Sequence, residues 1–146
     1  MRDEDYDKHG EIINPDHDGG IYTAVDAWDA DPAAAKARYG PIASWDTSGI
    51  TNMRDLFYEM EDFNEDISRW NVSNVVDMDR LFHRATSFTG DLSRWDVGQV
   101  KTMSGMFEDA TSFDGDLSSW EVGQVESMNC MFSDATSFDG DLTSWE

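Results

Sequence analysis

Five tryptophans, Trp45, Trp70, Trp95, Trp120 and Trp145, stand 25 residues apart. Met53, Met78, Met103 and Met128 keep the same interval. So do Phe57, Phe82, Phe107 and Phe132, and then Phe63, Phe88, Phe113 and Phe138. All eight phenylalanines fall in two of these columns, and five of the six tryptophans fall in one. A fixed period of this length restricts the chain to architectures that copy one unit and stack it. It is too short for a four-stranded propeller blade and suits a solenoid of one strand and one short helix per unit. A single unit offers about six large apolar side chains, roughly 1.5–3 kcal/mol each when buried. Ordering it costs on the order of 25–40 kcal/mol of conformational entropy. Copies therefore need a shared core, with the five tryptophans as a ladder of rings inside it.

The local pattern divides each unit. Asn52, Asp77, Thr102 and Ser127 form a column of residues suited to helix N-caps. Met53, Leu56, Phe57 and Met60 follow at i, i+3, i+4 and i+7, the spacing of one apolar stripe on a two-turn helix. The segment Leu117 to Val122, LSSWEV, reads as a short strand, and the FDGD before it as a turn. The expected fold is thus an α/β repeat solenoid, a right-handed leucine-rich-repeat-like coil of short parallel strands and short helices.

The stretch NVVDMDRLFHRATSFTGDLSRWDVGQVKTMSGMFEDATSFDGDLSSWEV resembles the BspA-like family of leucine-rich-repeat surface proteins. That family carries a 25-residue motif of the form W-D-V-S-x-V-T-x-M-x-x-M-F-x-x-A-x-x-F-N-x-D-L, and the likeness runs from Ile42 to Glu146. Gly98 and Gly123 stand where the motif has Ser, Met60 replaces its alanine, and Asn71 and Glu121 replace its Asp. The resemblance implies a non-enzymatic adhesion or protein-binding scaffold and favours the cell surface or extracellular space. The alternatives are a structural or linker subunit of a larger assembly and a calcium-dependent adhesin.

Ahead of the repeats, Ile21, Val25 and Trp28 share one helical face. Asp31, Pro32 and Gly40 then stand as N-cap, first helical residue and stop. This gives three regions: an acidic, flexible segment 1–20, a helical N-terminal cap 21–41, and the repeats 42–146. After Trp145 no helix remains to cover the last strand, and an uncovered strand edge is a hazard. Continuation of the chain, truncation, or another chain over that edge is expected.

The net charge of −21 argues against nucleic acid and against anionic lipid as partners. The N-terminus has no apolar signal-peptide core, no run is long enough to span a bilayer, and the compartment stays open. One cysteine, Cys130, permits no internal disulfide. The expected partner is a protein, bound where strand positions change between copies: Arg69, Arg94, Ser119 and Ser144. No catalytic set recurs, so no enzyme is expected. Calcium is the single cofactor candidate. Asn14, Asp16 and Asp18 occupy positions 1, 3 and 5 of an EF-hand-like loop, with Gly20 offering a carbonyl, but position 12 is Val25 where a Glu belongs. Asp66, Asp91, Asp116 and Asp141 form an acidic column whose repulsion a turn hydrogen bond from each carboxylate would offset.

Overall fold

The computed structural model describes residues 18–145. Helix α1, Asp18–Ala30, buries Ile21, Ala24, Val25 and Trp28 along one stripe. Helix α2, Pro32–Tyr39, starts at Asp31, whose side chain accepts from the Ala34 N–H at 3.2 Å, and ends at Gly40 with φ +82°. A single 3₁₀ turn, Ile42–Ser44, follows. The indole of Trp28 meets that of Trp45 edge-on, with ring centroids 5.9 Å apart. The helices thereby cover the first pass of the chain that follows them.

From Trp45 onward the described residues contain neither a strand nor a helix. Extended pairing is limited to three isolated parallel bridges, Asn52 to Asp77, Asp77 to Thr102 and Thr102 to Ser127. The expected class, a leucine-rich-repeat coil of parallel strands and short helices, is therefore overturned, and with it the BspA-like resemblance as a guide to the fold. Both parts of the expected unit fail for a local reason. In LSSWEV a turn at Ser118 and Ser119 bends the chain, closed by the Trp120 N–H on the Leu117 carbonyl at 3.1 Å. The Met53–Met60 segment fails as a helix because its N–H groups go elsewhere. Those of Met53, Asp55, Phe57 and Glu59 leave the segment for the carbonyls of Asp77, Asp79, Leu81 and His83. Those between, Leu56, Tyr58 and Met60, close tight turns on Met53, Asp55 and Phe57.

Alternating donors in this way needs left-handed backbone, and Asp55 and Glu59 adopt φ +61° and +59°. Arg80 and Arg84, then Gly105 and Asp109, then Cys130 and Asp134 repeat those angles 25 residues on each time. The apolar stripe read as helical is buried all the same: Met53, Leu56 and Phe57 are nearly inaccessible. Asn52 and Asp77, read as N-caps, instead accept from the N–H two residues on, at Arg54 and Asp79.

The rings do the packing. Phe57, Phe82, Phe107 and Phe132 stack with centroids 5.5–5.6 Å apart. Each also lies 4.2–4.3 Å from the other Phe of its own pass, Phe63, Phe88, Phe113 or Phe138. Such pairs add about 0.5–1.5 kcal/mol each beyond area burial. The glycine after each of these last three rings is required by contact: a Cβ on Gly90, Gly115 or Gly140 would fall within 2.6–2.8 Å of the Phe88, Phe113 or Phe138 ring. In the last pass Val125, Met128, Phe132, Phe138, Leu142 and Trp145 are only partly buried.

Candidate functional site

Neighbouring passes meet differently on their two flanks. Around residues 51–59 they share the backbone ladder described above. Around residues 64–74, and 25 and 50 residues later, no backbone hydrogen bond joins one described pass to the next. Side chains take over there. The indole N–H of Trp70, Trp95, Trp120 and Trp145 donates to the carbonyl of Ile42, Ile67, Leu92 and Leu117, each 28 residues back, at 2.8–3.0 Å. Trp45 and Trp70 stack at 6.1 Å, and Trp120 and Trp145 at 6.3 Å.

Because nothing zips the backbones together here, clefts open between passes. One of about 420 Å³ is lined by residues 68–72 with Arg94 and Asp96. The next, about 370 Å³, is lined by residues 93–97 with Ser119 and Glu121. A third, about 380 Å³, is lined by residues 118–123 with Ser144 and Trp145. The three are equivalent positions of successive passes and form one groove.

Arg69, Arg94, Ser119 and Ser144 are exposed and stand along this groove. The Ser119 and Ser144 hydroxyls donate to the carbonyls of Ser93 and Ser118, at 2.9 and 2.7 Å. The groove also takes in Asn71 and Glu121, noted in the sequence only as departures from a motif, and Asp96, which keeps the motif's residue and was not singled out. Their signal was the same variation at a fixed register that singled out the Arg69 column.

The acidic column lies at the foot of this flank. Asp66, Asp91 and Asp116 each accept from the hydroxyl and the N–H of Ser68, Ser93 and Ser118, the hydroxyl bond at 2.6 Å. Those bonds, the hydroxyl's first, hold the three carboxyls below the ordinary carboxylate range. At Asp141 the Thr143 N–H is the larger cause. The expected turn bond is thus what offsets the repulsion along the column.

Asn14 and Asp16 lie outside the described residues. Asp18 opens helix α1, and Gly20 is buried in its first turn. Cys130 is exposed, with φ +59°. No helix among the described residues is long and apolar enough to cross a membrane.

A family model described as "Mycoplasma protein of unknown function, DUF285" matches residues 27–145. The chain belongs to that family. No curated protein and no solved structure matches. The family description assigns no function. The surface-adhesion role implied by the leucine-rich-repeat resemblance therefore loses its footing along with the strand-and-helix architecture. The linker-subunit and calcium-dependent adhesin alternatives are withdrawn with it, although the calcium reading itself rested on the loop at Asn14, Asp16 and Asp18, of which Asn14 and Asp16 lie outside the described residues.

Proposed function

We propose that the chain works by protein contact, without catalysis, and that the groove between passes receives an extended polypeptide segment. The observation that carries this reading is the row of three equivalent clefts, with a constant floor of tryptophan and valine and rims that change from pass to pass. An extended segment presents side chains at regular intervals, which matches a site that recurs pass by pass. The hydroxyls of Ser119 and Ser144 are engaged as donors to carbonyls, which suits a recognition surface better than a nucleophile. Arg69 and Arg94 accompany Asp96 in the first two clefts, but Glu121 is the one charged residue among the described residues lining the third, and with a net charge of −21 this favours a segment carrying Lys or Arg.

Panning a displayed random-peptide library on the full chain tests this. Recovered peptides should be rich in Lys and Arg. Their binding should fall with salt and drop sharply in the double variant Asp96→Lys, Glu121→Lys. A library that yields no enriched sequence, or peptides indifferent to that variant, would overturn the reading.

A further inference from the structure

The opposite flank holds a group of side chains with no role in the groove. His83, Glu108 and Asp109 each present a ligand atom, and all of these atoms lie within 4.8 Å of one another. The geometry points to a binding site for a divalent transition ion of the zinc class, formed by the His83 imidazole and the carboxylates of Glu108 and Asp109.

Three observations converge on it. First, His83 Nε2 stands 3.5 Å from Glu108 Oε1. That is long for an N–H···O bond, which falls at about 2.7–3.2 Å. It is close to the roughly 3.3 Å that separates two ligands bound at about 2.0–2.1 Å around a tetrahedral ion. Second, Nε2, the nitrogen that faces Glu108, makes no hydrogen bond of ordinary length; an ion there leaves Nδ1, which is buried without a partner, to carry the ring proton. Neither ring nitrogen therefore has a bond of ordinary length, yet the imidazole side chain is only 14% exposed. Third, the ring is held in place. Tyr58 stacks on it at 4.9 Å, and Gly105 leaves room beside the Glu108 carboxylate. A Cβ at Gly105 would come within 3.2 Å of Glu108 Oε1 and 3.9 Å of His83 Cδ2.

One imidazole nitrogen with two carboxylate oxygens is a donor set that zinc-class ions accept, and it leaves a fourth position for water or a donor from outside. The three residues come from two passes, His83 from one and Glu108 with Asp109 from the next. An ion would therefore cross-link the ladder flank through side chains as well as backbone.

Titration of the chelator-treated full chain with zinc by calorimetry, and with cobalt by visible absorption, tests the site. One saturable equivalent is expected, together with the cobalt bands of a low-coordinate site. Glu108→Gln, on the outer rim, should weaken binding by at least about tenfold. His83→Gln should abolish the site. Cys130→Ser and Glu59→Gln should leave it unchanged, and a metal-free melt would show that each variant folds. Absence of a saturable equivalent, or binding retained in both His83→Gln and Glu108→Gln, would overturn the assignment.

Discussion

The two flanks of each pass solve one problem in different ways. On the ladder flank every second N–H of Met53 to Glu59 reaches the neighbouring pass, those of Leu56 and Tyr58 close turns, and only that of Arg54 turns to a side chain, Asn52. The conformation this demands is left-handed at Asp55 and Glu59 and at their counterparts. On the groove flank no backbone-to-backbone bond joins the passes among the described residues, and indole N–H groups donating to backbone carbonyls help hold them together. The first arrangement is tight and largely independent of side-chain identity. The second leaves open space and hands cohesion to side chains, the indoles joined by hydroxyls such as those of Ser119 and Ser144. Variable residues can be tolerated at either place, but only the second gives a partner room to enter.

The shared core should matter most. Phe107 is fully buried and stacks on Phe82, Phe113 and Phe132. Phe107→Ala should cost about 3–5 kcal/mol, read from urea unfolding. Phe132→Ala, in the partly open last pass, should cost clearly less. Equal losses at the two positions would mean that burial differs little between them.

The groove flank is tested next. Trp95→Phe keeps a ring but removes the N–H that meets the Ile67 carbonyl at 3.0 Å. Leaving that acceptor without its partner should cost about 1–3 kcal/mol. A loss of no more than a few tenths of a kcal/mol would show that the indole bond is not what fastens this flank.

A third change should have opposite signs on the two flanks. Arg84 sits at φ +60°, where an L-residue pays about 1–2 kcal/mol that glycine does not. Glycine's extra freedom in the unfolded chain takes back part of this, so Arg84→Gly should stabilise by up to about 1 kcal/mol. Its ion pair with Glu59, 3.7 Å apart and half exposed, offsets little. Arg69→Gly, on the groove flank, should instead destabilise by about 0.5–1 kcal/mol. Matching signs in thermal melts would erase this contrast between the flanks.

The smallest effect concerns acid. Asp66, Asp91 and Asp116 have folded-state values lowered from an ordinary 3.8 by their serine bonds. A lowered carboxyl contributes stability above its unfolded value and loses it as pH falls through the folded one. The groove flank should therefore weaken below about pH 4. Ser93→Ala should make the decline shallower, as read from unfolding midpoints at pH 6 and pH 3. A slope unchanged by Ser93→Ala would remove the hydroxyl bond as its cause.

The sequence by itself determined which residues are inside and at what interval they meet. Trp70, Phe82 and Phe107 recur at a fixed period, and no single pass can bury them alone. It also disclosed the aspartate turns, because Asp66 and Ser68 are two residues apart and their bond is local. The backbone conformation between those rings was left to the tertiary structure. Met53, Leu56, Phe57 and Met60 at helical spacing bury equally well on a chain of tight turns, so periodicity could not distinguish the two. What decided was where the N–H groups of Met53, Asp55, Phe57 and Glu59 found acceptors, and those acceptors lie 24 residues away on another pass. The groove and the pairing of His83 with Glu108 depend on the same lateral contact, which exists only once two passes lie side by side.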